Sequence, residues 1–108
     1  MKLADLEPKL YRLTDDGRLH EVETTAEAGG VMFLCPGCFV QNAGNVGTHS
    51  ILLRIDAKGE GPRWAASGST VADLTLKPSV NVHADRNRGP RACPGWHGFI
   101  TNGEVRSC

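Results

Sequence analysis

The sequence lacks an excess of charge of either sign, and it lacks any long apolar run. Twelve basic residues balance twelve acidic ones, so the formal net charge is zero. A neutral chain is not typical of proteins that bind nucleic acid or membranes by bulk electrostatic attraction. No apolar segment approaches the roughly 20 residues of a membrane span, and the first eight residues do not resemble a signal peptide. These absences predict a cytoplasmic protein without a membrane segment.

Aromatic residues are also few, whereas glycine and proline are frequent. Thirteen glycines and six prolines in 108 residues favour many turns over long helices. A chain of this length has room for one domain with one core. A metal ion or a disulfide would help to stabilise so small a domain. Because cytoplasmic thiols stay reduced, the four cysteines are better candidates for metal ligands or redox groups than for disulfides.

Short strands separated by turn signals account for most of the chain. Residues 9–22 predict an N-terminal hairpin around an Asp-Gly turn, in which a two-residue loop would place Leu13 opposite His20. Further strands are predicted over residues 31–34, 48–55, 64–68, 74–82, 98–101 and 104–107. No segment predicts a convincing helix. The expected fold is therefore all-β or mostly β, a single-domain sheet or sandwich over residues 1–108, with a zinc-stapled core over residues 31–108.

Cysteine and histidine residues form two half-sites with the spacing of metal ligands. Cys35 and Cys38 enclose a Pro-Gly pair, and this tight turn allows both thiolates to reach one tetrahedral ion. Cys93 and His97 enclose Pro-Gly-Trp just before a predicted strand. Both half-sites resemble the knuckles of zinc ribbons. We therefore expect Cys35, Cys38, Cys93 and His97 to hold one structural zinc ion.

The C-terminal hairpin offers a rival fourth ligand. A two-residue Asn-Gly loop at residues 102–103 sets a register that places Cys108 opposite His97. Directly opposed residues have Cβ atoms about 5 Å apart, so Cys108 competes with Cys93 for the fourth position. His49 lies on the inward face of the strand over residues 48–55 and is a weaker candidate, because such a histidine is more often a hydrogen-bonded core residue.

Other interpretations of the cysteines stay open. Cys35 and Cys38 could form a redox pair or remain two unmetallated thiols. A redox pair needs a helix that starts at the first cysteine, and the residues after Cys38 are poor helix formers. A catalytic zinc needs an open coordination position and usually a glutamate base, but no glutamate lies beside either half-site. The sequence therefore predicts no catalytic residues.

Several segments together resemble one protein family. The motifs are Phe-Leu-Cys-Pro-Gly-Cys at residues 33–38, Thr-His-Ser-Ile at 48–51, Leu-Thr-Leu-Lys-Pro-Ser-Val at 74–80 and the segment 93–103 that contains Trp-His-Gly-Phe-Ile. They resemble an uncharacterised domain-of-unknown-function family of small phage and prophage proteins, whose relatives often carry the automatic label "ammonia monooxygenase". The resemblance covers roughly residues 30–108. The enzyme of that name is a membrane-embedded complex, so the label does not fit a chain without a membrane span.

The resemblance implies a phage origin, action in an infected bacterial cytoplasm and a zinc-like Cys/His site. By elimination, the leading hypothesis is a non-enzymatic, zinc-stabilised protein-interaction module whose partner is a host or phage protein. One alternative is a nucleic-acid-binding module that uses a loop containing Arg86, Arg88 and Arg91. The other alternative is a zinc-dependent hydrolase with an open metal position.

Overall fold

The protein consists mainly of two antiparallel sheets. The computed structural model describes residues 1–55, 64–85 and 92–108. In chain order, the strands are β1 (Lys9–Leu13), β2 (Leu19–Val22), β3 (Gly30–Leu34), β4 (Ser50–Arg54), β5 (Ala65–Ser67), β6 (Thr75–Val82), β7 (Trp96–Thr101) and β8 (Glu104–Ser107). The first sheet has the order β2-β1-β3-β4 and the second the order β5-β6-β7-β8. The mostly β fold predicted from the sequence is confirmed.

A short helix, α1 (Pro36–Asn42), follows β3, where the sequence predicted none. Cys35 has extended backbone angles at the N-terminal boundary, and Pro36 occupies the first turn, where its missing N–H costs no hydrogen bond. Ala43 adopts a left-handed conformation and ends the helix. Within the described residues, three 3₁₀ helices span Leu3–Leu6, Thr25–Glu27 and Val71–Asp73. Pro36 and Cys38 of α1 are buried, so tertiary packing offsets the poor intrinsic propensity of this segment.

The register predicted for the N-terminal hairpin is wrong by one residue. Leu13 pairs with Leu19, and Arg12 rather than Leu13 pairs with His20. The connection is longer than two residues, because the amide of Thr14 donates to the carbonyl of Arg18 and the Thr14 hydroxyl also contacts that carbonyl. The register predicted for the C-terminal hairpin is confirmed, from Thr101 opposite Glu104 onward.

Buried side chains from both sheets form one apolar core. The fully buried residues include Val31 and Phe33 of β3, and Val80 and Ile100 of the second sheet. Along β7 burial alternates strictly, so that every second side chain faces the core while the others face outward. The side chains of Trp96 and Ile100 therefore face the core, whereas that of His97 does not. No helix in the described parts of the chain is long and apolar enough to cross a membrane.

Candidate functional site

Four potential metal ligands converge at the junction of the two sheets. Cys35 follows β3, Cys38 lies in the first turn of α1, His49 precedes β4, and Cys93 precedes β7. Their ligand atoms all lie within 4.8 Å of one another. The three cysteines are buried and His49 is half-buried. This cluster, called here the Cys3His cluster, could hold a metal ion.

The spacing within the Cys3His cluster fits tetrahedral coordination. The Sγ atoms of Cys35 and Cys93 are 3.7 Å apart, and His49 Nε2 is 3.4 Å from Cys93 Sγ. A tetrahedron with metal–sulfur bonds of about 2.3 Å and metal–nitrogen bonds of about 2.05 Å has S–S edges of about 3.8 Å and N–S edges of about 3.5 Å. These two distances match the edges of such a tetrahedron, and all four ligand atoms lie within 4.8 Å of one another.

Burial strongly disfavours ionised thiols in this cluster. It raises the pKa of Cys38 to about 12, with the neighbouring Cys93 thiol adding to the effect. Burial also raises the pKa of Cys35, and Cys93 contributes there as well. Both pKa values are raised in the absence of a bound cation. A bound cation reverses these shifts, because a coordinating thiol is held as the thiolate. Without a cation, the raised pKa values of Cys35 and Cys38 therefore favour the protonated thiols.

Two residues predicted as possible ligands lie outside the Cys3His cluster. His97 is exposed on β7, on the face opposite Trp96, Gly98 and Ile100. Cys108 is exposed, and its amide donates to the carbonyl of His97 over 3.0 Å, so the predicted pairing exists. The structure places His49 beside the three buried thiols, in the position for which His97 was proposed. The predicted inward face of the strand at residues 48–55 was the sequence signal for this ligand.

His97 instead forms a hydrogen-bonded pair with Ser79, which the sequence reasoning did not identify. His97 Nε2 is 2.9 Å from Ser79 Oγ, across the neighbouring strands β6 and β7. The register of β6 against β7 shifts between Leu76 and Val80, and this irregularity contains Ser79. β-Bulges of this kind redirect side chains and are frequent beside active sites. An unprotonated Nε2 at this distance can accept the serine proton, which is how histidine activates a serine nucleophile.

The surroundings of this pair support its geometry and leave it accessible. The Trp64 indole N–H donates to the carbonyl of Ser79 over 3.2 Å and so fixes the irregular segment of β6. Asn81 lies directly opposite His97 in the strand register. Phe99 follows two residues later on the outward face of β7 and is 48% exposed. The pair therefore stands on an open sheet surface.

A cavity of about 540 Å³ lies elsewhere, beside the first sheet. Its lining includes Tyr11, Leu13, Leu19, Leu52 and Arg54, and none of its lining residues belongs to the Cys3His cluster or to the Ser79–His97 pair. The large cavity and the chemically equipped residues are therefore separate features. The arginine loop proposed for nucleic-acid binding, with Arg86, Arg88 and Arg91, lies outside the described residues.

Comparison with known proteins gives one family. Residues 5–108 match the family model BubE, described as "Bacterial ubiquitination-like system serine protease". No curated protein and no solved structure matches the chain significantly. The match includes most of residues 1–29, which lay outside the resemblance proposed from the sequence. The bacterial setting agrees with that resemblance, whereas the phage and ammonia-monooxygenase labels receive no support from the match.

The match corrects the functional prediction. The family is named as a protease, so the expectation of a non-enzymatic interaction module is wrong, as is the expectation that the chain is not an enzyme. That expectation depended on a search for catalytic zinc and for familiar local motifs, and neither reveals a serine and a histidine brought together from two strands. With nearly its full length matched, the chain belongs to the BubE family of bacterial ubiquitination-like system serine proteases.

Proposed function

We propose that this protein is a serine protease in which Ser79 is the nucleophile and His97 the general base. The observation that carries the proposal is the 2.9 Å separation of Ser79 Oγ from His97 Nε2 on an exposed face. The family match supplies the reaction class independently of this geometry.

The proposed reaction follows from the chemistry of the pair. His97 Nε2 takes the hydroxyl proton as Ser79 Oγ attacks the substrate carbonyl, and the resulting imidazolium gives that proton to the leaving amine. The carbon–nitrogen bond breaks and an acyl-serine ester forms. Water then attacks the ester, with His97 again accepting and returning a proton, and releases the carboxylate product. This sequence requires His97 to be neutral with its proton on Nδ1.

We further propose a protein substrate of a ubiquitination-like system, cut at a peptide or isopeptide bond. The family description supports the system, and the open sheet face around His97 and Phe99 supports a macromolecular substrate. A protein therefore remains the partner class that we propose, as a substrate. Its place would be the bacterial cytoplasm, which is consistent with four cysteines that are all free thiols.

The Cys3His cluster is proposed to hold one structural zinc ion. Three thiols and one imidazole are a frequent zinc donor set, and four protein ligands fill all four tetrahedral positions. Such a closed site has no position for a catalytic water, so we assign the hydrolytic chemistry to Ser79 and His97. Metal analysis of protein purified without added metal should give one equivalent of zinc. Folded wild-type protein free of any metal would refute this assignment.

Labelling with a fluorophosphonate, which reacts covalently with activated serines, tests the catalytic proposal. Wild type should be labelled at Ser79, and both Ser79→Ala and His97→Ala should lose the label. Ser67→Ala is the matched control, because Ser67 is an exposed serine on β5 of the same sheet, and it should label like wild type. Cleavage is then measured on a ubiquitin-like protein with a C-terminal reporter fusion. Full labelling or cleavage by Ser79→Ala would overturn the assignment.

A further inference from the structure

The Cys3His cluster lies in direct contact with the segment that presents His97. Cys93 is four residues before His97, in the connection between β6 and β7. Within this connection, Asp85 and Cys93 are joined by two backbone hydrogen bonds, of 2.9 and 2.8 Å. The amide of Gly95 also points to Cys93 Sγ, at 3.4 Å. One ligand of the cluster therefore belongs to the same short segment as the proposed base.

Helix α1, which carries Cys38 and directly follows Cys35, contacts that segment at two points. Gln41 Nε2 donates to the carbonyl of Ala92 over 3.1 Å. At the other end of the helix, Gly37 lies so close to Gly95 that a Cβ on Gly37 would stand 2.4 Å from the Gly95 carbonyl oxygen and 3.3 Å from Trp96 Cβ. No side chain fits there. Residues 92–96 are thus held from both sides of Cys93.

The packing of Trp96 in β7 links the position of residues 92–96 to that of His97 on the outward face of the strand. Trp96 is buried, and its indole N–H donates to Ser107 Oγ over 2.9 Å. The Trp96 ring covers Gly98, where an added Cβ would stand 2.3 Å from the ring. His97 lies between these two packed positions and projects from the other face of the strand. A shift of Trp96 would therefore also move the His97 ring relative to Ser79.

We propose that the metal-loaded Cys3His cluster, through α1 and the Gly37–Gly95 contact, is the device that positions His97 against Ser79. This inference depends on the proposed roles of Ser79 and His97. Gly37 and Gln41 are then positioning residues, since neither touches the reacting atoms. Their substitution should disturb the pair while all four metal ligands remain in place.

The decisive variant is Gly37→Ala, with Gly29→Ala as its control. A methyl group at Gly37 must displace Gly95, whereas one at Gly29 meets only the Leu13 nitrogen, at 3.9 Å. Gly37→Ala should retain one equivalent of metal, shift the NMR signals of the His97 imidazole and slow fluorophosphonate labelling of Ser79 at least tenfold. Gly29→Ala should match wild type in all three measurements. Labelling is measured well below the unfolding temperature of each variant, so that loss of stability alone does not lower it.

Gln41→Ala provides a second variant in case Gly37→Ala does not fold. Gln41 is largely exposed, and loss of one hydrogen bond should slow labelling roughly threefold, within a range of about two- to tenfold. Unchanged His97 signals and labelling within twofold of wild type, in a folded and metal-loaded variant, would overturn the positioning role. If wild type itself is never labelled at Ser79, the proposed catalytic roles fail. The His97 signals would in that case still report whether the cluster controls the histidine.

Discussion

Replacement of the two histidines, one at a time, should separate the proposed metal ligand His49 from the proposed catalytic base His97. His49→Ala removes the imidazole whose Nε2 stands 3.4 Å from Cys93 Sγ. His97→Ala removes an exposed ring whose hydrogen-bond partner is Ser79. We expect the first variant to lose tight metal binding. The second should retain one equivalent of metal and lose Ser79 labelling by about 10²- to 10⁴-fold, the usual contribution of a general base.

The expected stability change follows from linkage between folding and metal binding. Metal at 1,000 times its dissociation constant stabilises the folded state by about 4.1 kcal/mol. If loss of His49 weakens binding 1,000-fold, the same metal concentration contributes only about 0.4 kcal/mol. With about 4–8 °C per kcal/mol for a domain near this size, the unfolding temperature should fall by about 15–30 °C. Loss of the exposed His97–Ser79 hydrogen bond removes about 1 kcal/mol, and therefore about 4–8 °C.

Metal content by mass spectrometry, thermal unfolding with and without chelator, and fluorophosphonate labelling together measure this separation. The chelator should remove most of the difference in unfolding temperature between wild type and His49→Ala. Because the loaded cluster is proposed to position His97, the chelator should also slow the labelling of folded wild type, but it should not slow that of folded His97→Ala, which already lacks the base. A His97→Ala protein that loses its metal, beside a His49→Ala protein that keeps it, would restore the ligand set predicted from the sequence and refute the assignment made from the structure.

Three further predictions concern single residues. Gly17→Ala, at φ +80 with open space around the added Cβ, should cost only about 1–2 kcal/mol in denaturant unfolding, from backbone strain alone. Gly103→Ala should cost more than Gly17→Ala, because Gly103 has φ +74 and its added Cβ would also stand 2.1 Å from the Ala72 carbonyl oxygen. Asp73 accepts two backbone N–H bonds, which lower its pKa below 3.8. The ionised carboxylate therefore stabilises the fold above pH 3.8, and this stabilisation is lost as the pH falls through the lowered pKa. The unfolding free energy of Asp73→Asn should be lower than that of wild type at pH 6, and this difference should shrink towards pH 3. Cys108→Ser should keep one equivalent of metal, as measured by mass spectrometry, because Cys108 is exposed and outside the cluster.

Contradictory outcomes are equally specific for these residues. Equal destabilisation by the two glycine substitutions would mean that the close approach to Ala72 adds nothing. A deficit of Asp73→Asn that stays constant with pH would exclude the carboxylate as the source of the stabilisation. Loss of metal from Cys108→Ser would return this residue to the ligand set.

The strands were predictable because their signals are local. Alternating apolar residues and the Asn-Gly turn define β7 and β8 and their register without tertiary information. The hairpin at residues 9–22 was placed one residue out of register, because side-chain hydrogen bonds of Thr14 stabilise a longer connection than Asp-Gly alone indicates. Helix α1 was missed because its stability comes from contacts with distant residues such as Gly95 and not from propensity.

The contact between Ser79 and His97 was not predictable in the same way. Ser79 lies in an irregular part of β6, where strict alternation no longer tells which face a residue occupies. Its partner is 18 residues away in sequence. The spacing from Cys93 predicts His97 as a metal ligand, whereas in the structure His97 lies on the outward face of β7, opposite Trp96, Gly98 and Ile100. Spacing along the chain predicted the two half-sites. The burial pattern of β7 is needed to show that His97 faces away from the Cys3His cluster.

The strict alternation of β7 explains how so short a chain can carry two chemistries within a few residues. Cys93 must stay buried, because an exposed thiolate cluster would be open to solvent and to oxidation. His97 must be accessible, because a protease base has to reach a polypeptide outside the protein. A strand reverses the facing of its side chains at every residue, so within β7 Trp96 faces the core and His97 faces outward. Cys93 precedes the strand, and its burial is therefore independent of this alternation. Insertion of one alanine between Trp96 and His97 should therefore leave the metal ligands intact and abolish Ser79 labelling. Retention of full labelling in this insertion variant would show that strand facing does not govern the pair.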